Sequence, residues 1–141
     1  MHESIFAKII KDEIPGFKIY EDENTIALLD IHPVQPGHTL VIPKQQIDHF
    51  EDLPDNLYFA VWETVKKVAN RLKILNRKRV GVIVDGSGVA HAHVHLIPFD
   101  TTKELVTLAD MKAKPNFEEL EKMSKKLYFK EAKWVNLQLP F

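Results

Sequence analysis

The sequence predicts an antiparallel α+β fold, built of short strands joined by short turns with one long helix inserted among them. Two connections, around residues 22–24 and 86–89, leave little room for the crossovers that parallel strands need. The helix is the third observation. From Pro54 to about Leu75, Leu57, Tyr58, Val61, Trp62, Val65, Val68, Ala69, Leu72 and Leu75 recur at spacings of three and four, the pattern of one buried helical face.

Taken in order, Ser4 is placed to cap a short helix with Ile5, Phe6, Ile9 and Ile10 on its apolar face, ending before Pro15-Gly16. FKIYED (17–22) and NTIALLD (24–30) read as two strands. IHPVQPG (31–37) is a turn-rich connection, and HTLVIP (38–43) is a strand bounded by Pro43. After the long helix come strands RVGVIVDG (79–86) and AHAHVHLIPF (90–99), joined by a tight Gly86-Ser87-Gly88 turn. Beyond Phe99, KELVTLADM (103–111) and NFEELEKMSKKL (116–127) look helical, the second with an Asn or Pro start. The apolar ending WVNLQLPF (134–141) is expected to pack on something. The whole chain, 1–141, reads as one domain, with a core at about 4–99 and a C-terminal helical extension at 100–141.

Composition narrows the function. The chain has 141 residues, 45% hydrophobic and 28% charged, as in an ordinary globular protein. A net charge of -1 does not predict a dedicated nucleic-acid binder. Without cysteine there is neither a disulfide framework nor a thiolate metal site. The start lacks the pattern of a secretory leader, and no apolar run is long enough to span a bilayer, so a cytoplasmic location without membrane contact is expected. One basic run, Lys66, Lys67, Arg71, Lys73, Arg77, Lys78 and Arg79, reads either as a phosphate-attracting patch or as a solvated face at a helix C-terminus, with the second favoured.

HAHVHLIP (91–98) places three of the seven histidines at alternate positions. In a strand His91, His93 and His95 share one face, while Ala92, Val94 and Leu96 enter the core. Three readings compete. The rings are histidines with no chemical task. Or they bind zinc, helped by Asp30, Asp85, Asp100 or His38, none of which stands at a recognisable ligand spacing. Or one ring is a nucleophile toward phosphorus, kept neutral because protonating one imidazole opposes protonating the next. An arriving phosphate would reverse that bias and let a flanking histidine serve as general acid. Backbone N–H groups of the Gly86-Ser87-Gly88 turn and the Ser87 hydroxyl are candidates to hold phosphate oxygens.

His91-Ala92-His93-Val94-His95, followed by Leu96-Ile97-Pro98, resembles the signature of the histidine-triad (HIT) family. LLDIHPVQPGHTLVIPK (28–44) resembles that family's other signature, and SIFAKIIKDEIP (4–15) its N-terminal segment. The resemblance covers about residues 4–99. It implies a five-stranded antiparallel sheet per subunit, usually extended in a homodimer, and the nucleoside phosphoramidase (HINT-like) branch of bacterial type. It also implies hydrolysis or transfer at the α-phosphorus of nucleoside phosphoramidates or related purine nucleotide conjugates, through a nucleotidyl-histidine and with no cofactor or metal. By matching position His93 is the nucleophile, His95 orients it or serves the leaving group, His91 supports the row, and His38 is a fourth histidine across the site. Asp30 matches the acceptor for the ribose hydroxyls. Phe6, Ile9, Leu28, Ile31 and Leu40 match apolar walls around the base, though each also suits plain core.

Departures from the pattern cluster before the triad. Ser87 and Gly88 stand where glutamine and serine or threonine are common, the loop is shorter, and Asp85 stands near a usual asparagine. A carboxylate among Asp85, Gly86 and Gly88 would repel phosphate unless protonated or turned away. Members with a structural zinc hold it on two cysteines and two histidines; here those positions are Ser4, Ala7, Gln46 and His91. His2, His32 and His49 are expected to be exposed loop residues. Two alternatives stay open: a purine nucleotide-binding module with little or no turnover, and a dinucleoside polyphosphate hydrolase.

Overall fold

A computed structural model describes residues 2–105 and 109–131. The Ser4 hydroxyl accepts the Ala7 N–H and caps α1 (Ile5–Ile10). Strands β1 (Lys18–Glu21), β2 (Thr25–Leu29) and β3 (Thr39–Pro43) follow, then the long helix α2 (Asp55–Leu72), then β4 (Arg79–Ile83) and β5 (Val94–Phe99). Two helices close the described chain, α3 (Thr102–Leu105) and α4 (Phe117–Leu127), the latter capped by Asn116. The five strands form one antiparallel sheet in the order β1-β2-β3-β5-β4. No helix among the described residues is long and apolar enough to cross a membrane.

The β1–β2 turn is tied by Asp22, whose Oδ1 accepts from the N–H groups of Asn24 and Thr25 and from the Thr25 hydroxyl. Gly37 ends the loop before β3 at φ +89°, a conformation that favours glycine. Register then sorts the side chains. Ala27, Leu29, Val41, Val94 and Leu96 pack with Leu57, Val61, Val65, Val68 and Leu72 of α2 in the main core. Ile26, Leu28, Leu40 and Ile42 face the other way and form a smaller cluster with Phe6 of α1. Because Leu40 pairs with both Leu28 and His95, the α1 side of the sheet is also the side that carries His95.

Three expectations change. Strand 90–99 begins only at Val94, because the Ala92 N–H donates to the Ile47 carbonyl at 2.7 Å and the His91 N–H to Val89, so neither joins the ladder. Strand 79–86 likewise stops at Ile83, and an open connection, 84–93, replaces the tight turn. Its polar groups bond locally, Ser87 to Asp85, and Gly86 and Gly88 both take positive φ. Of helix 103–111 the structure describes Thr102–Leu105 as helical and 109–111 as not, with a turn at 111–113; residues 106–108 and the apolar ending at 134–141 lie outside the described residues.

The basic run serves the fold. Arg71 donates to the carbonyls of Lys126, Leu127 and Tyr128 past the end of α4 and lies over the Phe129 ring. Arg77 bridges Asp100, Glu104 and Gln35. The end of α4 and the residues after it lie along β1: the Phe129 N–H donates to the Ile19 carbonyl at 3.0 Å, the Ser124 hydroxyl to the Lys18 carbonyl, and Phe129 stacks on Tyr20.

Candidate active site

Four histidines converge where β3 and β5 meet, and hydrogen bonds assign the proton on each neutral ring. His91 is fully buried. Its Nε2–H donates to the Pro43 carbonyl at 2.7 Å, so Nδ1 is left to accept the Ser4 hydroxyl at 2.6 Å. Burial pushes its pKa down, against the pull of the Pro43 carbonyl; the neighbouring His93 adds to the lowering. His93 donates Nδ1–H to the His91 carbonyl at 2.7 Å, which leaves the lone pair of the neutral ring on Nε2. Phe6 meets His93 edge-on at 5.1 Å and His91 at 5.9 Å, fixing both planes from the α1 side.

On His38 the Val34 N–H occupies Nδ1 at 3.1 Å, so the neutral ring carries its proton on Nε2. That proton points to His95 Nδ1 at 2.9 Å. By elimination neutral His95 keeps its proton on Nε2. Burial drives the His38 pKa down to about 4, with Asp30 opposing and His95 assisting. His95 is half-buried and also lowered, by burial and then by His93, while Asp30 and Asp85 pull the other way. The sequence expectation put His38 across the site from the row; it is hydrogen-bonded to the row's outer member.

Asp30 follows β2 on the histidine face. Its backbone N–H donates to the His38 carbonyl, its Oδ1 accepts the His32 N–H, and Oδ2 lies 3.6 Å from His38 Nε2. Phe6, Leu28 and Leu40 form the apolar floor beside the row, Ile9 packs on its edge, and Ile31 is 37% exposed. Next to Ile9 a concavity of about 440 Å³ opens between Ile14, Pro15 and Gly16, with Asp12 and Glu13 on its rim. Ser87 donates both its N–H and its hydroxyl to Asp85, so neither points into the site. His2 and His49 are exposed and His32 half-buried.

Sequence reasoning named Asp30 and His38 as possible zinc partners of the row without a recognisable spacing; the structure brings them together with His95 in a triangle whose ligand atoms lie within 4.8 Å of one another. His38 and His95 stand 57 positions apart, and only the β3–β5 register joins them. Such a triangle has the donor set for a divalent metal. Here, however, the His38 nitrogen facing the other two groups carries a proton, not a lone pair. Metal binding would break both the Val34–His38 and His38–His95 hydrogen bonds. At the positions that resemble a zinc site, Ser4 bonds to His91, and Gln46 holds the Ser4 N–H and the carbonyls of His2 and Ala90. Ser4 was legible as a helix cap; its second bond, to His91, was not.

The model of the HIT domain matches residues 11–102. The chain is 34% identical over 128 residues to an adenosine 5'-monophosphoramidase of Saccharomyces cerevisiae, covering 89% of this chain and 81% of that protein. It is 31% identical over 103 residues to an adenylylsulfatase of Arabidopsis thaliana, covering 69% of this chain and 52% of that one. The crystal structure of a Hit-like protein from Bartonella henselae superposes with a TM-score of 0.74 at 34% identity, covering 89% and 94% of the two chains. The histidine cluster has the groups that nucleotidyl transfer requires. The matched segment contains all four of its rings, and the chain belongs to the HIT family.

Proposed function

We propose that the protein is a nucleotide hydrolase or transferase of the nucleoside phosphoramidase branch, acting at the α-phosphorus through a nucleotidyl-histidine on His93. The observation that carries this reading is the His93–His91 hydrogen bond. It leaves Nε2 of His93 as a lone pair, while the neighbouring ring presents an Nε2 proton. A nucleophile and a proton donor on adjacent rings, 5.1 Å apart, are the minimum for in-line displacement with leaving-group protonation.

In this mechanism the bound phosphoryl anion draws a second proton onto His95 at Nδ1. His38 Nε2–H then has to release His95, and Asp30 Oδ2, at 3.6 Å, is the acceptor within reach. His93 Nε2 attacks phosphorus, the bond to the leaving amine breaks, and that amine takes the Nε2 proton of His95. Water next attacks the phosphorus, gives its proton to His95 Nε2, and displaces His93 to release the nucleoside monophosphate. Asp30 also accepts the ribose hydroxyls, and Phe6, Leu28, Leu40, Ile9 and Ile31 hold the base. The named activity of the yeast relative supports phosphoramidate as the substrate class.

His93→Ala should abolish turnover of an adenosine phosphoramidate while nucleoside monophosphate binding stays measurable by calorimetry. Acid quenching should trap a nucleotidyl adduct on His93, detected by mass spectrometry. Retained turnover in the variant rejects the mechanism. A homodimer is the accompanying expectation. Phe129 and Ser124 occupy carbonyls of β1, whereas β4 ends the sheet on the other side with Val82 43% exposed, so β4 is the edge left for a second copy. Light scattering of the full chain tests it.

A further inference from the structure

Asp85 is the charged group of this site that the mechanism leaves without a task. Ile83, the last residue of β4, pairs with His95, and Asp85 follows two residues later in the open connection, with its charge felt at His95 and His93. Its carboxylate is exposed, and Oδ1 accepts the Ser87 hydroxyl at 2.7 Å and the Ser87 N–H at 3.3 Å. Those bonds, reinforced by His95 and His93, hold its pKa below the usual carboxylate value, so it is an anion at neutral pH. After it, on either side of Ser87, Gly86 (φ +82°) and Gly88 (φ +90°) leave open space, since a Cβ on either would meet nothing within 4 Å. A fixed negative charge beside an open wall, near the ring that protonates the leaving group, acts on whatever charge that group carries.

We propose that Asp85 selects substrates by the charge of the leaving group, favouring nucleoside phosphoramidates of amines that carry a second, protonated amine and disfavouring nucleotides that depart as polyphosphate. This inference rests on the hydrolytic reading above and names the substrate class of the same site. Ser87 has a defined part in it: by holding Asp85 Oδ1, it keeps the carboxylate ionised and on the loop.

The test compares three adenosine 5'-phosphate conjugates: one with a neutral alkylamine, one with a diamine protonated at its far end, and a dinucleoside tetraphosphate. In Asp85→Asn the ratio of kcat/KM for the cationic over the neutral conjugate should fall about fivefold, and the polyphosphate should gain by a similar factor. Asp85→Glu keeps a carboxylate on the loop and should retain the wild-type order, whereas Ser87→Ala frees Oδ1 from the hydroxyl and should weaken the preference. Raising salt to about 1 M should shrink the wild-type preference, because the charge is exposed. Binding constants for alkylphosphonate analogues, with carbon in place of the bridging nitrogen, report the same ratios without turnover. If the wild-type protein turns over none of the conjugates yet the analogues bind in the Asp85-dependent order, the hydrolytic reading fails and the charge selection stands. Ratios that Asp85→Asn leaves unchanged, in turnover or in analogue binding, overturn it.

Discussion

The two ends of the histidine row are built from the same side chain in the same tautomer, and they behave as opposites. At the inner end His91 has both nitrogens committed, to Ser4 and to Pro43, and among the described residues no carboxylate acts on it. A second proton there would displace a buried hydroxyl hydrogen bond and find no counter-charge. At the outer end His95 has Nδ1 on His38 and Nε2 uncommitted, and two carboxylates, Asp30 and Asp85, favour its protonated form. The inner end is therefore built to stay as it is. The outer end is built to change, and the uncommitted lone pair of His93 lies between them. What separates scaffold from machinery here is whether an added proton has a partner.

Removing each ring should break this comparison most sharply. His91→Ala deletes a fully buried ring and strands the Pro43 carbonyl, and should cost about 3 kcal/mol of stability, read from urea unfolding. His95→Ala should change stability by less than about 1 kcal/mol yet lower kcat by about a hundredfold or more. Equal losses of stability at the two positions would erase the distinction.

Acid should expose it next. His38, His91 and His95 bind protons less readily in the fold than in the unfolded chain. Below about pH 6.5 the unfolded state takes up more protons, so stability is complete above that value and is lost as pH falls toward the His38 pKa of about 4. Urea midpoints should drop between about pH 7 and about pH 5, and His38→Asn should flatten part of that slope. An unchanged slope in His38→Asn would mean that ring does not carry the effect. The smallest expected change is at Ser4. Ser4→Ala removes the α1 cap and the proton donor to His91, and should cost about 1 kcal/mol with turnover reduced only slightly.

Local pattern made most of the fold legible. The three-and-four spacing from Leu57 to Leu72 corresponds to α2, and Ser4 and Asn116 cap the helices they precede. Alternation misled at Ala90–His93, because it reports which way side chains point and not where backbone groups bond. The Ala92 N–H goes to Ile47, a partner 45 positions away. Ser87 misled for a related reason. A hydroxyl in a glycine turn can serve a ligand or a neighbour, and Asp85, two residues before it, is the neighbour. The proton positions on His38 and His95 depend on the Val34 amide and on cross-strand register, which no spacing along the chain encodes.

The segment laid along β1 bears on how many copies can come together. A sheet open on both sides invites neighbours without end, the geometry of filaments. With the Ile19 and Lys18 carbonyls already taken by Phe129 and Ser124, the β4 side is the edge that the proposed homodimer would use, and a twofold contact there would consume it. In that proposed arrangement growth would end at a pair. On that proposal the last turns of α4 and the residues after them would act as a stopper on polymerisation.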